Sequence, residues 1–226
     1  MRRAKLLLTI LSVYLVVSVV DYVEKQIIDE EMGGMINYDF SSTTYNRMLE
    51  ERAAAWEVDP MVLHEAIEKM GYHESAHTFD PNIEQRLSDG TVGRGKGIFQ
   101  FEISVDGNQG GGATAYNRTT RYFKEMNNQG HNMPIPEWVD TDVYAENFDA
   151  TTLDQDGQYI LMLANMAGAP EVTKQALSSI SFGGKIDNDS LAELWLNSHW
   201  KGDIQDRKAR KSSFMSSANK YDKEFK

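Results

Sequence analysis

Residues 73–77, HESAH, carry the side chains of this chain that are best suited to acid–base chemistry. Upstream, Leu63, Ile67 and Met70 recur at spacings of four and three, and the same stripe reaches Glu74 four residues later. This periodicity predicts a helix with Glu74 at its end, on the core-facing side. A poorly solvated carboxyl keeps its proton to higher pH, because desolvation favours the neutral form. We therefore predict that Glu74 is a general acid of the kind that protonates a glycosidic oxygen.

The same five residues match the His-Glu-x-x-His pattern of zinc metalloproteases, with His73 and His77 as ligands and Glu74 as the base. That interpretation needs both histidines on one continuous helix and a third ligand downstream. Asp80 precedes a proline, which disfavours helical backbone there, so little of the helix can continue past His77. We predict that Glu74 acts as an acid without a metal or a cofactor. A zinc metalloprotease is the alternative.

A second motif, residues 97–101 GIFQF, follows after a spacer. A helix that ends in Glu-Ser, and a later Gly-apolar-apolar-Gln-apolar motif, together resemble the lytic transglycosylases of the goose-type lysozyme superfamily. The resemblance is most specific between Glu74 and Gln100 and covers residues 59–202 more loosely, where residues 191–202 are similar to phage-borne members. Its implications are a lysozyme-like fold and peptidoglycan glycan strands as substrate.

The resemblance also implies a mechanism. Glu74 would protonate the oxygen between N-acetylmuramic acid and N-acetylglucosamine, and its carboxylate would then take a proton from the muramoyl C6 hydroxyl. The product would be a 1,6-anhydro sugar, formed with one carboxylate in two successive roles. A muramidase that hydrolyses the bond is the first alternative, and it would need a second carboxylate such as Asp80, Glu84 or Glu102.

Further site residues are assigned around the acid. On the resemblance, Ser75 would steady the carboxylate, and Gln100 would bind substrate or orient the acid. Phe99, Phe101 and Tyr116 are candidates for stacking on sugar rings, although aromatic residues at such spacings usually fill a core. The sequence departs from the family pattern here, since the Ala-Tyr-Asn segment that includes Tyr116 comes soon after the glutamine motif rather than much later.

The amino-acid composition excludes several kinds of site and partner. The chain has 226 residues, no cysteine and a formal net charge of −11. The absence of cysteine excludes disulfides, thiolate metal sites and cysteine nucleophiles. Beyond Lys5 the chain has 20 basic and 34 acidic residues, a net charge of −14. Such a surface repels phosphates, so no nucleic-acid partner is expected.

The N-terminus has the pattern of a membrane segment. Arg2, Arg3 and Lys5 precede the uncharged apolar run of residues 6–20. We predict an N-terminal transmembrane helix, residues 1–23 acting as an anchor or signal-anchor, then a linker over residues 24–45 and a lysozyme-like catalytic domain over residues 46–226. The positive-inside rule places that domain outside the cytoplasm, in the periplasm, or on a virion.

The elements predicted for the domain are mainly α-helical with a small β-hairpin. Helical patterning covers residues 45–56, 113–126, 154–166 and 171–179, and a further helix starts at Asp59. Asp89-Gly90 indicates a hairpin turn, and residues 107–112, GNQGGG, indicate a loop. Asp189-Ser190 is predicted to cap a last helix. A non-catalytic virion or envelope protein, with virion proteins as partners, is the alternative outside the enzymes.

Overall fold

The computed structural model describes residues 43–87, 89–105, 108–167, 174, 177, 181–182, 185–200 and 206–226. It is mostly helical with a small three-stranded antiparallel sheet, which confirms the predicted fold class at that level. The helices are α1 (Thr43–Trp56), α2 (Pro60–Glu74), α3 (Gly111–Asn128), α4 (Gln155–Met166), α5 (Asn188–Trp195) and α6 (Arg207–Phe225).

Helix α2 begins as the sequence predicts. The Asp59 carboxylate accepts a hydrogen bond from Met61 N at 2.7 Å, and Pro60 occupies the first turn, where its missing N–H costs nothing. Leu63, Ile67 and Met70 are all fully buried. The stripe of core residues therefore lies where the spacing predicted it.

The opposite face of α2 is buried as well, which the periodicity did not indicate. Lys69 is fully buried, and its Nζ contacts Glu65 Oε1 at 2.9 Å and Asn188 Oδ1 at 2.8 Å. Glu68 accepts a hydrogen bond from the Tyr221 hydroxyl. Buried charges are tolerated only when they are paired, so these contacts let polar residues line an interior face of the helix. They join α2 to the start of α5 and to α6.

The sheet has the order β1 (Glu84–Arg86), β2 (Val92–Lys96), β3 (Phe101–Glu102), and all of its pairs are antiparallel. The predicted hairpin turn joins β1 to β2, with Gly90 at φ +84° and the Asp89 carboxylate accepting from Thr91 N at 2.9 Å. Strand β3, and a second hairpin of β4 (Ser181–Phe182) with β5 (Lys185–Ile186), were not predicted.

Two predicted boundaries are wrong. Helix α3 begins at Gly111, inside the predicted loop. Gly112 lies within this helix, where a Cβ would be 2.4 Å from the carbonyl oxygen of Phe148. These glycines therefore serve close packing as well as chain flexibility. Helix α5 begins at Asn188, and its N-cap is Asp187 rather than Asp189. The helix predicted for residues 171–179 lies largely outside the described residues.

The predicted anchor at residues 1–23 also lies outside the described residues, as does most of the predicted linker. The last three linker positions, 43–45, are already helical in α1. Within the described ranges, no helix is long and apolar enough to span a bilayer. Contacts group Phe40–Tyr221 into one compact unit.

We predict that Gly112→Ala destabilises the protein by about 1–3 kcal/mol, because its methyl group would overlap a backbone carbonyl that has little room to move. The matched control is Gly111→Ala in the same helical turn, where the nearest atom to a Cβ is Glu102 N at 3.6 Å, an ordinary contact. Urea unfolding measures both variants. Equal midpoints for the two would show that the methyl group at position 112 is accommodated without cost.

Candidate active site

Glu74 is the last residue of α2, and the chain turns away sharply behind it. Ala76, His77 and Phe79 have φ values of 51°, 74° and 51°, which helical backbone cannot accommodate. Such left-handed backbone costs energy and persists only where surrounding contacts hold it. Here the Ser75 hydroxyl accepts from Phe79 N at 2.9 Å, and the chain is fixed immediately after the acid.

The Glu74 carboxyl is held through one of its oxygens. Trp195, the last residue of α5, donates its indole N–H to Glu74 Oε1 at 2.6 Å. His199 Nε2 lies 3.7 Å from the same oxygen and 2.6 Å from the carbonyl oxygen of Phe99. His199 is part of a π-helical turn, Leu196–Trp200, that follows α5 directly. Single π-helical turns often occur at functional sites, where they re-aim side chains.

Glu74 has the ionisation that a general acid needs. Burial raises its pKa from 4.5 to about 7, while the hydrogen bond from Trp195 and the charge of Arg210 lower it by less. Its side chain is 16% exposed. No other carboxylate in the described ranges contributes to this shift. The group therefore combines a raised pKa with access to solvent, as functional carboxyls do.

His73, beside the acid, remains neutral. Burial, reinforced by His77, Arg210 and His199, lowers the pKa of His73 to about 4. Its ring packs edge-on against Trp195, with centroids 4.9 Å apart, and its Nδ1 lies 3.0 Å from the Ser217 hydroxyl on α6. His73 thus supports the indole that holds Glu74 and adds no positive charge next to it.

The zinc interpretation requires His73 and His77 on one continuous helix, and the structure does not provide this. Helix α2 ends at Glu74, and His77 has left-handed backbone. Both imidazoles do approach Ser217 Oγ, with His77 Nε2 at 3.2 Å. Across the described residues, no group of three His, Cys, Asp or Glu side chains has the arrangement of a metal site.

The glycine-to-glutamine motif folds around a buried side chain from α4. Gln158 is fully buried, and its Oε1 accepts from Ile98 N at 2.7 Å while its Nε2 donates to Pro81 O at 2.8 Å. Gly97 has φ +74°, and a Cβ there would lie 2.3 Å from Gln158 Oε1. This packing fixes the Phe99 carbonyl that contacts His199. The motif is therefore linked to Glu74 indirectly, through the Phe99 carbonyl oxygen and His199.

Ser75 and Gln100 were predicted to contact the Glu74 carboxyl or the substrate. The side-chain hydrogen bonds of both residues go elsewhere. Ser75 bonds to Phe79 N, so it steadies the chain behind Glu74 rather than the carboxylate. Gln100 is half-buried at φ 50°, and its amide donates to Gly97 O at 2.7 Å. In the described ranges no hydrogen bond joins Gln100 to Glu74.

The three predicted sugar-stacking rings belong to the core. Phe99, Phe101 and Tyr116 are 0%, 2% and 6% exposed. Tyr116 stacks on Phe148, with centroids 4.5 Å apart, and its hydroxyl accepts from Asp140 N at 3.1 Å. None of these rings has a free face for a sugar, so we correct their assignment from substrate binding to packing.

The acids considered as a second carboxylate each have another contact. Asp80 accepts from Asn82 N at 2.9 Å in a tight turn. Glu84 pairs with Lys96, and Glu102 pairs with Arg94 at 2.8 Å, both across neighbouring strands of the sheet. The side chains of Glu84 and Glu102 are both exposed, as expected on a solvated sheet surface.

Sequence reasoning missed Trp195, His199, Arg210 and Ser217. Trp195 and His199 are four residues apart within LWLNSHW, the i,i+4 spacing that places two side chains on one helical face. That spacing was a usable signal for a paired site. Arg210 and Ser217 gave none, because only the packing of α6 brings them close to the end of α2.

Comparison of the chain with protein-family models, with curated proteins and with solved structures finds no match. The described residues define a mostly helical protein in which the carboxyl of Glu74 is largely buried, partly accessible to solvent and raised in pKa.

We predict that Glu74→Gln changes how stability depends on pH. Because the pKa of Glu74 is about 7 in the folded protein against 4.5 as the ordinary value, the folded state binds the proton more tightly between these pH values. This proton contributes up to about 3 kcal/mol to the free energy of unfolding. The contribution is fully present below pH 4.5 and is lost as the pH rises through 7. Relative to the parent, Glu74→Gln should therefore gain stability as pH rises from about 5 to about 8.

Urea unfolding across this pH range measures the effect, and Glu125→Gln on the exposed face of α3 is the control. A stability difference for Glu74→Gln that does not change with pH would contradict a buried carboxyl at this position.

Proposed function

We propose that this protein cleaves peptidoglycan as a lytic transglycosylase with a lysozyme-like fold. The observation that carries the proposal is Glu74, a buried carboxyl with a pKa near 7 whose Oε1 is held by Trp195 at 2.6 Å. The sequence resemblance adds the substrate, since Glu74-Ser75 and the motif at residues 97–101 occur in the order found in that family.

Glu74 would act twice. As an acid it gives its proton to the glycosidic oxygen while the bond from that oxygen to the muramoyl C1 breaks. As a carboxylate it then takes the proton of the C6 hydroxyl, whose oxygen forms a new bond to C1. The glutamate ends protonated, and the sugar ends as the 1,6-anhydro form. A pKa close to 7 suits both steps, because neither proton transfer is then strongly uphill at neutral pH.

The rest of the site supports a single carboxylate in two roles. The raised pKa of Glu74 comes from burial and not from a neighbouring acid. Asp80, Glu84 and Glu102 have their own turn and strand contacts. A hydrolase would need a second carboxylate placed to activate water or to attack the sugar. We therefore favour the lyase over the muramidase.

Trp195 and His199 would keep Oε1 in place as charge moves onto and off the carboxyl. An indole N–H donates in both protonation states of the acid, so it holds the group without supplying the transferred proton. Preorganised donors of this kind lower the cost of reorganisation during a reaction.

The biological setting follows from the sequence alone. Residues 6–20 would anchor the protein in a membrane, with the catalytic domain in the periplasm, or the protein would be carried by a virion. The looser similarity of residues 191–202 to phage-borne proteins favours a phage protein that opens the cell wall. Its partners would then be glycan strands, the membrane and virion proteins.

We predict that full-length protein releases anhydro-muropeptides from purified peptidoglycan and that Glu74→Gln lowers this rate by at least about 100-fold. The replacement is nearly isosteric, and its amide oxygen can still accept from Trp195, so folding should be preserved. Mass spectrometry of the products is the measurement, with Glu125→Gln as the control.

The products separate the alternatives. Reducing ends that depend on Glu74 would identify a muramidase, and activity lost on chelation would identify a metalloprotease. Failure of the folded parent protein to release any product would leave the non-catalytic virion or envelope role.

We also predict that Trp195→Phe lowers kcat about tenfold and moves the alkaline limb of the activity profile to higher pH. The Trp195 hydrogen bond lowers the pKa of Glu74. Loss of this bond therefore raises that pKa and keeps Glu74 protonated to higher pH. Trp138→Phe, which removes an indole packed against Tyr116 instead, is the matched control. The profile of kcat against pH should move only for Trp195→Phe, and a shift toward lower pH would contradict this role.

A further inference from the structure

A cationic groove lies along α3, separate from the contacts that hold Glu74. One wall is the face of α3 with Arg118, Arg121 and Lys124, and the other wall is residues 141–144. Its volume is about 440 Å³. The spacing of three residues between these cations places them along one side of the helix. The chain as a whole carries a net charge of −11, so this positive face contrasts with the average charge of the protein.

The cations are poorly neutralised. Arg118 Nη1 donates to the carbonyl and side-chain oxygens of Asn165 at 3.0 and 2.6 Å, which fixes the guanidinium without cancelling its charge. The Arg121 side chain has neither a hydrogen bond nor an ion pair with the described residues. Lys124 faces Asp142 at 3.4 Å, where both side chains are more than half exposed. Such an exposed pair contributes little and can be exchanged for another anion.

The positive charges of Arg118 and Arg121, which lie one helical turn apart on α3, repel each other, and solvent screens the half-buried Arg118 less. Burial and the charge of Arg121 lower the pKa of Arg118, although it stays protonated. An anion placed between Arg118 and Arg121 would remove this repulsion and would gain charge-assisted hydrogen bonds. A planar carboxylate suits guanidinium groups especially well.

The wall at residues 141–144 includes the polar Thr141 and Asp142, and it also offers exposed apolar surface that is held in position. Tyr144 is 69% exposed and Val143 is 50% exposed. The Tyr144 hydroxyl is fixed by Gln109, which donates to it at 3.0 Å and accepts from it at 3.2 Å. Asn117 binds the backbone of Ala145 through two hydrogen bonds of 2.8 Å. An exposed ring that is already ordered binds a ligand with little entropic cost.

We propose that this groove binds an acidic peptide, with carboxylates on Arg121 and Arg118 and an aliphatic part against Tyr144 and Val143. On the proposed function, on which this identification rests, the peptide is the stem attached to muramic acid, whose free carboxylates are negatively charged at neutral pH. The groove would then recognise stem-bearing glycan, while Glu74 acts on the sugar.

The test measures binding to full-length Glu74→Gln protein, so that no ligand is consumed. The probes are a disaccharide-tetrapeptide, the free tetrapeptide and peptide-free chitotetraose. Adding Arg121→Gln should weaken binding of both peptide-containing probes about tenfold, the effect of losing a charge-assisted contact, and leave chitotetraose binding unchanged. Arg86→Gln, which removes an exposed cation on β1, is the matched control.

The outcomes separate the two proposals. The groove does not recognise acidic peptides if neither peptide-containing probe binds, or if Arg121→Gln weakens binding no more than Arg86→Gln does. The same conclusion follows if glycerol phosphate oligomers displace the peptide as well as the unlabelled peptide does. If the free tetrapeptide binds through Arg121 but the parent protein releases no muropeptides, the groove proposal stands and the proposed catalytic function fails.

Discussion

The hydrogen bond from the Trp195 indole to Glu74 is the contact that the proposed chemistry depends on. It joins the last residue of α2 to the last residue of α5, two elements far apart in the chain. Its effect on the pKa is smaller than that of burial and opposite in sign. The bond therefore chiefly positions a carboxyl that burial has already made a weak acid.

Holding an acid in this way requires a rigid end of α2. The buried polar face of that helix provides this rigidity. Lys69, Glu65 and Glu68 are buried and are held by Asn188 and Tyr221 from α5 and α6. Removing one member would leave a buried charge without its partner, which is strongly destabilising. The same contacts hold α5 and α6 against α2, and Trp195 of α5 and Arg210 of α6 act on the acid.

Strained backbone is concentrated around the site. Ala76, His77, Phe79 and Gln100 are non-glycine residues with positive φ, in the two segments that follow the acid and form the glycine-to-glutamine motif. Buried Gln158 and the Ser75 hydroxyl hold these segments with hydrogen bonds to backbone N–H groups. Strain of this kind is kept where a fixed geometry has a use. In the proposed enzyme, that use is to fix the chain behind Glu74 and the carbonyl that contacts His199.

The sequence by itself determined the elements whose signals are local. The Asp59 cap, the stripe that ends at Glu74 and the Asp89-Gly90 turn follow from hydrogen bonds or periodicity within a few residues. Tertiary structure decided what depends on distant segments. The amphipathic pattern cannot show that the polar face of α2 is buried, because its partners come from α5 and α6, and the choice of Trp195 as the donor to Glu74 depends on the packing of α5 against α2.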